Sequence, residues 1–153
     1  MSNLAKPENR ELLSRALALL SRREMGRSEF VAKLVSREFD KSEVEATADW
    51  CEAQGFLSES RYVEGTARRL SAKYGTRRVA QTLRSKGVAE DAINAAIPEL
   101  KANEFEQARA LWLRKFDHPP LDAAERAKQV RFLQSRGFGF DLIKRVLAGA
   151  DEA

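Results

Sequence analysis

The residues of this chain best placed to do chemistry are its arginines. Arg61, Arg68, Arg69, Lys73, Arg77, Arg78, Arg84 and Lys86 fall between positions 61 and 86, where Glu64 is the single acid, a local charge of +7. A guanidinium presents a planar fork of N–H donors that matches a carboxylate or a phosphate bidentately. Such a density of arginines suits an anionic surface. A second basic stretch, 126–145, carries six bases against Asp141. Positions 38–60 are the reverse, seven acids against Lys41, a local charge of −6. The modest net charge of +4 thus conceals an acidic belt beside two basic ones, a pattern that steers association with a polyanion or an acidic protein. Chance clustering of charge-rich helix faces is the competing explanation.

Catalytic chemistry finds no comparable support. His118, the single histidine, sits in "FDHPP", a helix stop followed by a loop, and reads as a solvated turn residue. Cys51, the single cysteine, shares a helical stripe with Val44 and Ala48 and reads as a small core residue. It excludes an internal disulfide. One His and one Cys make no zinc set, and no glycine-rich phosphate loop follows a strand. Glu43, Glu45, Asp49 and Glu52 alternate round a helix and read as a solvated face. The expectation is a protein without catalytic residues, cofactor or metal. No apolar run is long enough to cross a bilayer, and "MSNLAKPENRELLSR" lacks the apolar core of a signal peptide. A reduced, cytoplasmic protein is expected.

The elements that must position these arginines are helices. "LRSKGVAED" (83–91) returns fifty residues later as "LQSRGFGFD" (133–141), and Ile93 and Ile97 answer Ile143 and Leu147. Leu34, Ser36, Arg37, Phe39 and Val44 repeat the offsets forty-nine residues before the first copy. Recurrence at a nearly fixed period marks stacked supersecondary units. The leucine reads as the last buried position of a helix, and the glycine as its left-handed C′ residue with an apolar residue packing back. Asp91 and Asp141 sit where an acid complements the start of a helix. Glu38 takes the glycine position in the first copy, so that helix end is expected to be built differently or to run on by a turn.

Ser28, Asp40 or Ser42, Ser58, Thr76 and Asp122 are expected to open helices, and Gly55, Gly75, Gly87 and Gly137 to close them. A short helix over 91–97 is expected to stop before Pro98, with another running from 104 to the break at "DHPP". The reading is all-α, about nine helices in three tandem three-helix repeats, divided as 1–57, 58–100 and 101–153. On the helix starting near Ser58, Val63, Ala67, Leu70 and Tyr74 gather on one side. Arg61, Arg68 and Arg69 project from the other, with Lys73 at its edge.

Four blocks, "SRREMGRSEFVAKL", "GFLSESRYVE", "YGTRRVAQTLRSKGV" and "RFLQSRGFGFDLIKRVL", together resemble the RecX regulatory proteins of bacteria in order and spacing. The resemblance implies three three-helix repeats in an elongated, curved molecule. It also implies a modulator of the RecA recombinase that lodges in the groove of the RecA–single-stranded DNA filament, blocks its growth or promotes its disassembly, and suppresses ATPase and strand exchange. Against the family pattern, Ser58, Glu59 and Ser60 replace paired Asp, Thr47 and Cys51 replace aliphatic residues, and Trp50 stands where a polar residue is usual. A less tightly filled first core follows as an expectation, with Trp50 a packed contact between repeats in preference to an exposed partner anchor.

From charge and helix face, the expected contact set is Arg61, Arg68, Arg69, Lys73, Arg77, Arg78 and Arg84, with Arg131, Arg136, Lys144 and Arg145 from the third repeat. The partner that the resemblance implies is the RecA filament, and direct contact with the single-stranded DNA inside it is left open. A monomer without membrane association is expected. The alternative is a stand-alone single-stranded nucleic-acid-binding helical protein, with Tyr62 and Tyr74 as stacking groups.

Overall fold

The computed structural model describes residues 4–150. It contains eight helices: α1 (Arg10–Arg22), α2 (Arg27–Val35), α3 (Lys41–Ala53), α4 (Glu59–Ser71), α5 (Thr76–Ser85), α6 (Glu90–Lys115), α7 (Ala123–Ser135) and α8 (Phe140–Ala150), with no strand among the described residues. Three small cores follow one another along the chain. The first gathers Leu12, Ala16, Phe30, Leu34, Val44 and Cys51 from α1–α3. The second gathers Val63, Leu70, Val79, Leu83, Ile93 and Leu100 from α4, α5 and the first half of α6. The third gathers Leu111, Trp112, Leu133, Phe138, Ile143 and Leu147 from the rest of α6, α7 and α8. A 17.2 kDa chain folded round one core would expose about 7,800 Å²; this one exposes 9776 Å². A row of small cores leaves more surface than one large core.

Much of the local punctuation is as expected. Asp40 accepts from the Glu43 N–H (3.1 Å), Ser58 from Arg61 (3.2 Å) and Asp122 from Glu125 (2.8 Å), each satisfying a donor that the first turn of a helix leaves unpaired. Gly55, Gly87 and Gly137 all take positive φ, +81°, +81° and +88°. The Val88 and Phe138 N–H groups reach back to the carbonyls of Leu83 (3.1 Å) and Leu133 (3.2 Å), as the duplicated phrase requires.

Four expectations are corrected. Glu38 takes the same left-handed conformation as the glycines (φ 70°), and its N–H donates to Val35 O as Gly87 donates to Arg84 O and Gly137 to Gln134 O. The repeat imposes its geometry on a residue that is strained by it. Pro98 does not end a helix; it lies within α6. At about 100° per residue, the apolar positions Ala108, Leu111 and Trp112 are centred very roughly 60–65° round the helix from Ile93 and Leu100, with Leu111 itself in line with Ile93. The two halves bury those positions in different cores, so one helix serves both repeats and eight helices replace the expected nine. Trp50 packs within its own repeat, its ring centroid 5.9 Å from that of Phe56. Thr47 and Cys51 are both buried in the first core, the Thr47 hydroxyl donating to Glu43 O at 2.8 Å.

The fourth correction concerns how the repeats join. Ser28 and Thr76 do not cap; Gly26 and Gly75 are the N-caps of α2 and α5, and neither has a side chain to do so. The caps come from the first helix of the following repeat. Glu59 accepts from the Arg27 N–H at 3.0 Å, and Glu104 from the Thr76 N–H at 2.6 Å. The Ser28 hydroxyl instead donates to Gly87 O (3.2 Å), and the Gly75 N–H to Arg136 O (2.9 Å). The second helices of successive repeats therefore meet N-terminus to C-terminus, where partial charges of opposite sign face one another. α7 is capped by its own Asp122.

Candidate functional site

The structure separates the eleven expected contact residues by what holds them. Arg61 is taken up by the joint between the first and second repeats: its Nε donates to Glu24 Oε1 at 2.8 Å and its Nη2 to Gly55 O at 2.8 Å. Arg84 pairs with Glu90 across a helix end, which raises the arginine and lowers the carboxyl in pKa, each chiefly through that hydrogen bond. Arg68 pairs with Glu64 one turn back (3.4 Å). Arg69, Lys73, Arg77 and Arg131 are exposed, and none is within ion-pair distance of a carboxylate among the described residues.

Arg78 and Arg136 are brought together. The Arg78 guanidinium lies 4.1 Å above the Tyr74 ring centroid and its Nη1 donates to Ser135 O at 2.7 Å. Arg136 lies 5.7 Å from the Tyr74 centroid and 5.3 Å from that of Phe132. Lys115 stands 5.5 Å from Phe132 on the same cluster. Attraction to the ring quadrupole holds these cations in place without neutralising them. Further along the third repeat, Arg145 packs on Phe105 (4.8 Å) and Lys144 on Phe140 (5.6 Å).

Lys115, Glu59 and Glu104 were missed by sequence reasoning. The basic pair between aromatics in "WLRKF" is the signal that could have found Lys115, whereas a carboxylate that caps another repeat leaves no local signal. The acidic belt is partly engaged internally, since Arg27 pairs with Asp49 (2.8 Å) and with Glu52. Tyr62 is buried, and Tyr74 is half-buried with Arg78 over its face, so neither presents an open ring for stacking. Cys51 is buried in the first core, and burial pushes its thiol up to about 11. His118 is exposed, its Nδ1 3.0 Å from Pro119 O, a contact that raises its pKa. Among the described residues no group of three or more His, Cys, Asp or Glu gathers to hold a metal ion, and no helix is long and apolar enough to cross a membrane.

Two family models match, the second three-helix domain of RecX over residues 58–97 and the third over 102–147. A protein of Ralstonia nicotianae named "Regulatory protein RecX" is 43% identical over 140 residues, covering 92% of this chain and 88% of the relative. One of the same name from Leptothrix cholodnii is 45% identical, with 92% and 89% covered. The chain belongs to the RecX family. The crystal structure of RecX from Lactobacillus salivarius superposes with a TM-score of 0.78 over 94% of this chain and 96% of that one, at 19% identity, and so shares the fold. In RecX terms, the cluster of Tyr74, Arg78, Phe132 and Arg136 is built where the second and third three-helix domains meet. The cation-rich stretches lie inside those two matched segments, and the acidic belt precedes them except for its last acid, Glu59.

Proposed function

We propose that this RecX-family protein is a non-catalytic regulator of RecA, acting as a cytoplasmic monomer with repeats at 1–57, 58–100 and 101–153. It binds the RecA–single-stranded DNA filament and inhibits its assembly, ATPase and strand exchange. One observation supports this reading beyond family membership: the second and third repeats display exposed cations with no carboxylate paired to them, as binding a filament of nucleic acid and protein requires. The contact set is led by Arg69, Lys73, Arg77, Arg78, Arg131, Arg136, Lys144 and Arg145; Arg61, Arg68 and Arg84 belong to it as well, each already engaged in a surface pair, with Glu24, Glu64 and Glu90 respectively. A stand-alone single-strand binder that relies on tyrosine stacking is disfavoured, because Tyr62 is buried and Tyr74 is covered.

The test is RecA ATPase on single-stranded DNA at physiological salt, with the purified chain added before or after filament assembly. Suppression by the wild type, weakened in Arg69→Glu/Arg77→Glu, is expected. Unchanged ATPase at saturating protein refutes the proposal.

A further inference from the structure

We propose that the joint between the second and third repeats is a phosphate-binding site that grips the backbone of a single nucleic-acid strand. This deepens the function proposed above, in which such a strand lies within the filament. Arg78 comes from α5, Lys115 from the end of α6 and Arg136 from the end of α7. The guanidinium carbons of Arg78 and Arg136 lie 4.1 and 5.7 Å from one ring centroid, so they are separated by no more than the sum of those distances. Arg136 and Lys115 are linked in the same way through Phe132, at 5.3 and 5.5 Å. Arg136 thus shares one ring with Arg78 and another with Lys115, and none of the three is ion-paired with a carboxylate among the described residues.

Like charges repel, and here they are held close by ring faces and by the Arg78–Ser135 bond. A guanidinium resting on a ring keeps its N–H edge directed away from the ring, the geometry that a phosphate oxygen meets. Arginine anchors of a protein interface sit in well-packed, desolvated surroundings, which calls for exposed apolar surface beside them. Among the described residues the large exposed apolar side chains are Leu4, Leu17, Val35, Phe56, Leu113, Leu121 and Phe140, none of them a member of this cluster. Of these, Leu113 is nearest in sequence to Lys115, about 200° away round the helix. Polar, strongly positive surfaces mark nucleic-acid interfaces. Because the rings are covered by cations, recognition is of phosphate and indifferent to base.

The site also depends on the joint. Its cations come from both sides of the contact at which Gly75 donates to Arg136 O, so opening that contact disperses the charges without removing any.

The experiment is fluorescence anisotropy of a labelled oligo(dT) of roughly 15 nucleotides against rising salt, with RecA ATPase followed in parallel. Each phosphate contact contributes about 0.7 to the slope of log K on log salt for a single strand. Lys115→Gln and Arg136→Gln should each flatten the slope by about that amount, while Arg126→Gln, an exposed α7 cation outside the cluster, leaves it unchanged. Gly75→Ala, verified as folded by circular dichroism, should weaken binding at unchanged net charge. Wild-type slopes in Lys115→Gln and Arg136→Gln overturn the site, as does wild-type affinity in folded Gly75→Ala. Equal competition by a poly-glutamate peptide of matched charge also overturns it, by making the joint a carboxylate-binding surface. If the variants lose oligonucleotide binding while the wild type leaves RecA ATPase untouched, the site stands and the regulator reading falls. Suppressed ATPase with unaltered oligonucleotide binding in the variants overturns the site alone.

Discussion

Gly75→Ala isolates the contact between the second and third repeats. The backbone of Gly75 (φ −70°, ψ 165°) is one that alanine adopts readily, so the substitution alone would stabilise by about 0.4–1 kcal/mol through the unfolded chain. In the folded protein, however, an added Cβ would lie 2.4 Å from the Gly137 oxygen, 2.7 Å from its carbonyl carbon and 3.0 Å from the Phe138 nitrogen. All three are backbone atoms and cannot rotate away. The joint must open by roughly 1 Å to restore ordinary contact. That stretches the Gly75–Arg136 and Arg78–Ser135 hydrogen bonds, now 2.9 and 2.7 Å, out of range. At about 1 kcal/mol each, with more where a buried N–H is stranded, the net loss is about 2 kcal/mol. Tm should fall by about 4–8 °C. The urea transition should also broaden as neighbouring repeats uncouple. Gly65→Ala is the control, since nothing lies within 4 Å of its added Cβ and alanine in an exposed helix interior gains about 0.5–1 kcal/mol. Hydrogen exchange of the Gly75 and Thr76 amides reports the joint directly. Equal stability of the two variants, or undiminished protection at 75 and 76, would refute the reasoning.

Glu38→Gly should stabilise the protein by about 0.5–1 kcal/mol by relieving a left-handed residue; a lower urea midpoint would show that the Glu38 side chain has a role of its own. Gln129→Leu removes the acceptor of the buried Trp112 N–H, 2.8 Å away, and should cost about 1–3 kcal/mol by urea unfolding followed through tryptophan fluorescence; a loss under about 0.5 kcal/mol would contradict it. Cys51 makes stability fall in alkali. Its folded pKa, about 11, exceeds its ordinary value of 9.0, so above pH 9 the unfolded chain releases a proton that the folded one keeps, and stability declines as pH rises from about 9 to 11. Cys51→Ala should flatten the decline, and superimposable stability–pH curves for the two proteins would exclude the thiol as its source.

What the sequence determined by itself is what neighbouring residues settle between them. Asp40, Ser58 and Asp122 cap helices because their side-chain oxygens reach N–H groups three residues on. Gly87 and Gly137 end helices because they take a left-handed turn without strain, and the period of the repeat was legible for the same reason. The basic character of 61–86 needed only counting. Tertiary structure decided the rest. Pro98 ordinarily stops a helix, but here Ile93 before it and Leu100 after it are buried in one core and the helix runs through. Glu59 and Glu104 cap helices 32 and 28 residues away, and Arg78 finds its acceptor 57 residues on. Charge count could not tell Arg61, engaged in a joint, from Arg69, left to solvent. That distinction depends on which repeat surfaces meet, and the meeting is set by close packing of backbone at Gly75 and Gly137, where a side chain has no room.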